Sequence, residues 1–259
     1  VILWDWAAVI LPHDEAGSGP AVVLIHAGIA DRTMWSEYVE RLADAGYRAV
    51  AVDLPGFGEA RVASGEQAPW ADVLRTMDGL AIVRAALVGS SFGGAVALRA
   101  ALVAPDRVSA LALISAPPPA LEPSPELKAA WEAEEAALQR GDIEAAVEAV
   151  VHAWTLPDAS PELRERVAAM QRRAFALQAE APPTTEAPDP VEQRPDALAR
   201  LSVPTLVAAG ELDKRDFRQG AEAMARALPR ARHAVIEGAG HLPPLETPET
   251  FWELMLACL

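Results

Sequence analysis

Residues 87–94 read LVGSSFGG, and one register of that run, Gly89, Ser91 and Gly93, gives Gly-x-Ser-x-Gly. An apolar, strand-like segment precedes it and a small-residue helical segment, GGAVALRAAL, follows it. In that context a sharp strand-to-helix turn holds the central residue in a strained conformation and lifts its hydroxyl off the end of a sheet. Glycines on either side let the two backbones pass without Cβ clashes, and the helix N-terminus presents free N–H groups to developing negative charge. The spacing predicts Ser91 as an exposed nucleophile, with Ser90 filling a small space in the turn. The bland alternative is a glycine-rich turn with incidental serines.

A serine hydroxyl is a poor nucleophile until a base takes its proton, so a histidine is required. Five are present. His241 stands in EGAGHLPPLE, directly after the last strand-like run, where a loop returns to the carboxyl end of the sheet. His233 begins that strand and points from the opposite end. His13 belongs to the N-terminal segment, His152 sits in a helical region, and His26 ends an earlier strand and opens HAGIADRTMW. His241 is the chosen base. It needs an acid to hold its tautomer and stabilise the imidazolium. The strand-like PTLVAAG runs straight into ELDKRD, which puts Asp213 at the carboxyl end of the strand before the His241 strand. Asp216 and Glu211 are the alternatives. The order Ser91, Asp213, His241 is the chain order of a nucleophile-elbow triad. For the oxyanion of a tetrahedral intermediate, Gly28 offers an unobstructed backbone N–H and Phe92, after the nucleophile, a second; Ile29 is a substitute for Gly28.

Such a site needs strands that end together. Continuous apolar runs rich in Val and Ile occur at 21–26, 48–53, 85–89, 108–115, 204–210 and 232–238, as suits strands buried on both faces of a parallel sheet. Helix-length segments separate them, which predicts an α/β fold: a mostly parallel central sheet with helices on both faces. VILW and AAVILPH suit an antiparallel hairpin at the sheet edge, with GSG as the following turn. Between about Ala116 and Arg200 no strand-like run appears. Helices there should begin at Ser124-Pro125, at Asp142 and at Ser160-Pro161, before the linker-like APPTTEAPDP. This is expected to be an all-helical cap (116–200) inserted in a core formed by 1–115 and 201–259. Pocket candidates are Ile29, Trp131, Val151, Trp154, Phe175 and Leu242, although residues at helical spacing equally suit plain packing.

The chain has 259 residues, 51% of them hydrophobic, so it can bury a large core, and its formal charge of −15 argues against a nucleic-acid or anionic-lipid surface. One cysteine cannot form an internal disulfide. The N-terminal VILWDWAAVIL lacks a basic leader and carries Asp5, so a cytoplasmic protein is expected. There is no His/Cys ligand cluster and no dinucleotide fingerprint, so no metal or organic cofactor is implied. A monomer or a homodimer both suit the composition.

HAGIADRTMW, DLPGFGEA, GSSFGG, GELD and GAGHLPPLETPETF, in this order, resemble the α/β-hydrolase superfamily over nearly the whole chain. The resemblance implies Ser91 as nucleophile, Asp213 as acid, His241 as base, and Gly28 and Phe92 as oxyanion donors. It makes His26 and Asp53 structural, the first shaping the oxyanion loop and the second steadying the turn after its strand. The chain departs from the pattern at Ala27, where family members commonly have His-Gly. Enol-lactone hydrolases and small carboxylesterases with a helical cap are the nearest look-alikes. Relatives resembling haloalkane dehalogenases and epoxide hydrolases use Asp at the elbow, whereas Ser91 favours an acyl-enzyme. The expected activity is hydrolysis of a small carboxylic ester or lactone. Carbon–carbon cleavage of a β-diketone-type substrate, or ligand sensing on the same scaffold, are the other readings.

Overall fold

The computed structural model describes residues 10–194 and 196–259. In chain order the elements are β1 (His13–Gly17), β2 (Ala21–Ile25), α1 (Ser36–Asp44), β3 (Arg48–Val52), β4 (Gly65–Gln67), α2 (Pro69–Gly79), β5 (Ala85–Ser90), α3 (Phe92–Val103) and β6 (Val108–Ile114). An insertion follows, made of α4 (Pro125–Gln139), α5 (Ile143–Trp154), α6 (Pro161–Ala179), β7 (Thr184–Glu186), α7 (Pro190–Gln193) and α8 (Ala197–Arg200). The chain then completes the sheet with β8 (Thr205–Gly210), α9 (Arg215–Ala227), β9 (Ala231–Ile236), α10 (Pro243–Glu246) and α11 (Pro248–Leu256). No helix among the described residues is long and apolar enough to cross a membrane.

Among the described residues, seven strands form one sheet in the order β1-β3-β2-β5-β6-β8-β9. Only β1 runs antiparallel; the pairs from β3 to β9 are parallel. Side chains alternate across a strand, so two covered faces need apolar residues at every position. β2 shows this directly: Val22 and Leu24 enter one core with α1 and α11, while Val23 and Ile25 enter the other with α2 and α3. This is why the strands read as unbroken apolar runs. The strand at the N-terminal edge is displaced from the expected hairpin. It occupies HDEAG and shares only His13 with AAVILPH, of which residues 10–12 are not strand, while residues 7–9 and the whole expected first arm lie outside the described residues.

The three insertion helices start where their caps dictate. Ser124, Asp142 and Ser160 accept from the N–H groups of Leu127, Ala145 and Leu163, and Pro follows at the first helical position in α4 and α6. The segment after α6 departs from the linker expected there. Thr184–Glu186 pairs in parallel with Gly65–Gln67, a strand contact no local apolar run could announce, because both strands are short and polar.

The turn after β5 has almost no room. A Cβ on Gly93 would stand 2.3 Å from the carbonyl oxygen of Ile25 and 2.4 Å from that of His26. One on Gly89 would lie 2.2 Å from the Gly93 carbonyl oxygen. Those obstacles are backbone atoms that cannot swing aside. Gly93→Ala is therefore expected to destabilise the protein by about 3 kcal/mol or more, read as a lower denaturant midpoint at unchanged slope.

Candidate active site

Three loops at the carboxyl ends of parallel strands meet over the sheet. Ser91 lies between β5 and α3, Asp213 follows β8, and His241 follows β9. Ser91 has φ 50° and ψ −117°, in the left-handed region that side-chain-bearing residues rarely adopt. Its backbone N–H is held by the Ile114 carbonyl at 2.7 Å, which ties the turn to the neighbouring strand β6. Ser90 is fully buried beneath it.

Ser91 Oγ lies 2.9 Å from His241 Nε2, and His241 Nδ1 lies 2.9 Å from Asp213 Oδ1. The hydrogen positions follow from chemistry. A carboxylate can only accept, so Nδ1 carries the proton and Nε2 is left as an acceptor for the serine O–H. Asp213 Oδ1 also accepts from the Lys214 N–H at 2.7 Å, which orients the carboxylate. The imidazole is packed against two aromatic rings that also touch each other, Trp154 from the insertion at 4.5 Å and Phe217 from α9 at 4.4 Å between centroids. Glu246 secures the histidine loop from below: its Oε2 accepts from the N–H groups of Gly240 at 2.8 Å and Leu242 at 3.0 Å. Burial pushes the Glu246 carboxyl above its ordinary value, with these two bonds acting against that shift.

The two alternative acids are engaged elsewhere. Glu211 accepts from the Gly238 N–H at 3.0 Å. Asp216 binds Ser124, taking its backbone N–H and its hydroxyl, each at 2.7 Å, and so fastens the start of α4 to α9. Burial acts to raise the Asp216 pKa, but the two bonds from Ser124, together with its own N–H and the charge of Arg215, outweigh it and hold the carboxyl below the ordinary 3.8. A depressed carboxylate stabilises the folded state above its unfolded value, and that contribution fades as pH falls through the folded one. Asp216→Ala should thus cost about 2–3 kcal/mol at neutral pH, with the gap to the parent narrowing in acid below the ordinary aspartate range. Paired urea titrations at neutral and low pH would check both parts.

His26 is fully buried, and burial holds its pKa below the ordinary value. Its Nε2 accepts from the Leu54 N–H at 2.9 Å, so Nδ1 is the protonated nitrogen and donates to the Ala27 carbonyl at 2.8 Å. The ring bridges the loop after β2 to the loop after β3. Asp53 accepts from the N–H groups of Arg32 and Glu59, both at 2.8 Å, and pairs with the Arg32 guanidinium. The loop after β2 is also secured from the insertion, where Arg173 on α6 meets Asp31 at 2.9 Å.

A cavity of about 240 Å³ opens over Ser91 and His241. Gly28, Ile29 and Phe92 form its wall on the core side. The insertion contributes Trp131, Glu134, Trp154 and Gln171. Of the pocket residues expected from sequence, Ile29, Trp131 and Trp154 reach this cavity. Val151, Phe175 and Leu242 do not line it; they are buried in the apolar core, because their helix faces and the histidine loop turn them inward. Sequence reading missed Phe217, Glu134, Gln171 and Glu246. The local signal for Glu246 was a lone carboxylate closing HLPPLE, while the other three had none. A larger cavity of 680 Å³ touches Asp213 and His241 but not Ser91, so a carbonyl under attack by Ser91 would lie outside it.

The pattern of the α/β hydrolase fold family matches residues 20–248, and the chain belongs to that family. It is 30% identical to the pimeloyl-[acyl-carrier protein] methyl ester esterase of Nitrosomonas europaea over 252 residues, covering 92% of this chain and 95% of that one. The solved enol-lactonase of Burkholderia xenovorans LB400 superposes with a TM-score of 0.78 at 25% identity, covering 95% of each chain. A 2-hydroxy-6-oxo-6-phenylhexa-2,4-dienoate hydrolase of Comamonas testosteroni is 38% identical over 117 residues, a match that spans 42% of this chain and only 41% of that relative.

Proposed function

We infer that the protein is a serine hydrolase that cleaves a small carboxylic ester or lactone through an acyl-enzyme. The observation that carries this reading is the continuous chain from Ser91 Oγ through His241 to Asp213, with both contacts at 2.9 Å, on a turn whose φ of 50° offers the hydroxyl to a cavity. In this reading His241 takes the Ser91 proton as Oγ attacks the carbonyl. The tetrahedral oxygen is met by the N–H of Phe92, the first residue of α3, where helix geometry leaves N–H groups unpaired, and by the N–H of Gly28. His241 then protonates the leaving alkoxide, and a water activated by the same nitrogen releases the acid. Asp213 holds the tautomer and stabilises the imidazolium formed in both steps. The helical insertion acts as a cap, and the cavity of 240 Å³ lies below the range of about 300–1,000 Å³ usual for drug-sized ligands, which favours a small substrate.

A fluorophosphonate probe should label the protein stoichiometrically at Ser91, and short-chain esters should turn over repeatedly rather than in a single burst. Labelling elsewhere, or no Ser91-dependent turnover, would remove this reading. The partial likeness to the phenylhexadienoate hydrolase supports a second one. That relative's named substrate bears a ketone and a carboxylate but no ester, so its hydrolysis breaks a bond beside the ketone. The same Ser91 and His241 could serve such a substrate, with carbon in place of an alkoxide as leaving atom.

A further inference from the structure

The wall of the Ser91 cavity is mostly aromatic and aliphatic, yet the insertion turns two polar side chains towards it. Gln171, on α6, is only 3% exposed, and its Oε1 is buried with no hydrogen-bond donor. Glu134, on α4, lines the same cavity and is partly buried. Among the described residues neither has a hydrogen-bond or ion-pair partner. Burial alone pushes the Glu134 carboxyl above its ordinary value, with no cation acting against it. A buried amide oxygen without a donor costs stability, and a leucine at position 171 would pack there without that cost. Around the pair stand Leu121, Trp131, Trp154 and Phe217, none of which offers the missing donor inside the cavity in this arrangement.

We propose that Gln171 and Glu134 form a polar subsite that selects substrates carrying a hydroxyl group near the ester or lactone bond. The proposal rests on the hydrolase reading above and adds the substrate class. The proton of such a hydroxyl satisfies Gln171 Oε1, and its oxygen accepts from the Glu134 carboxyl when that is protonated; with Glu134 ionised, the single proton serves one of the two acceptors. A hydroxyl donates the bond that Gln171 Oε1 lacks, whereas a methyl group leaves the amide oxygen stranded. Discrimination of this kind arises from the penalty on the wrong substrate, and it can exceed what an apolar pocket achieves by shape.

The test uses two pairs of esters in which a methyl is exchanged for a hydroxyl of nearly the same size. Methyl β-hydroxybutanoate is compared with methyl β-methylbutanoate, and hydroxyethyl butanoate with propyl butanoate, so that either half of the substrate is probed. In at least one pair the hydroxyl ester should have a kcat/KM higher by about 10–100-fold. Gln171→Leu should bring that ratio close to one, partly by improving the methyl ester, while a structural role would slow all four esters together. Glu134→Leu, at a partly exposed position that tolerates change, should lower the same ratio and keeps the test sound if the buried variant folds poorly. Ratios within about threefold in both pairs, or a preference that survives both variants, would overturn the subsite while Ser91-dependent hydrolysis stands. No Ser91-dependent hydrolysis of any of the four would overturn the hydrolase reading, and the subsite with it.

Discussion

Ser91→Ala is expected to lower kcat/KM for a short-chain ester by about 10⁴-fold or more while the protein stays folded. The size follows from what the hydroxyl does. Without Oγ no acyl-enzyme forms, and His241 can only direct a water at the carbonyl, leaving the oxyanion donors and the cavity to supply what rate remains. The fold should persist because alanine fits the space and the backbone keeps its ties to Ile114. Ser91→Gly separates chemistry from strain. It removes the same hydroxyl but relieves a φ of 50°, so it should unfold at a higher denaturant concentration than Ser91→Ala, by about 1 kcal/mol. Activity within tenfold of the parent in the alanine protein would mean that the nucleophile lies elsewhere.

Asp213→Asn should cost about 10³–10⁴-fold in kcat with little change in KM. Asp213 Oδ1 accepts two N–H groups, from His241 and from Lys214. An asparagine that keeps oxygen there preserves the tautomer but loses the charge that balances the imidazolium. It also buries an NH₂ at the position of Oδ2, which has no partner among the described residues. If the amide turns the other way, its NH₂ faces Nδ1, the ring proton moves to Nε2, and His241 can no longer accept from Ser91. Both arrangements impair the base. Steady-state kinetics on the folded variant would check this, and Asp216→Asn, which changes a carboxylate three residues on, serves as the contrast. It should loosen the α4 attachment and leave the chemical step largely unaltered.

Much of this architecture was legible in the chain. The parallel strands announced themselves because a strand covered on both faces is apolar over nearly its whole length, as β2 is and as β5 and β8 are apart from Ser90 and Thr205 at one end. The insertion helices were marked by Ser-Pro and Asp caps, whose hydrogen bonds involve residues only three apart. The candidate residues at the elbow, after β8 and after β9 could be named for a related reason. Each is joined to its own strand by a short loop, so knowing that the strands are parallel places all three loops on one edge.

What lay beyond reach depends on contacts between distant segments. β4 and β7 pair although 116 residues or more separate them, and neither is apolar enough to read as a strand alone. Trp154 reaches this cavity while Val151, three residues earlier on the same helix, packs into the core. Periodicity identifies a face of a helix but not what that face meets. The sequence by itself determined the fold class and the residues that can do chemistry, since both are written in local pattern and chain order. Only the tertiary structure decided which carboxylate meets His241 and which is spent on Ser124, and which insertion side chains face Ser91. Those outcomes are set by how the insertion packs on the sheet edge, a balance of many weak long-range contacts that no short stretch of sequence encodes.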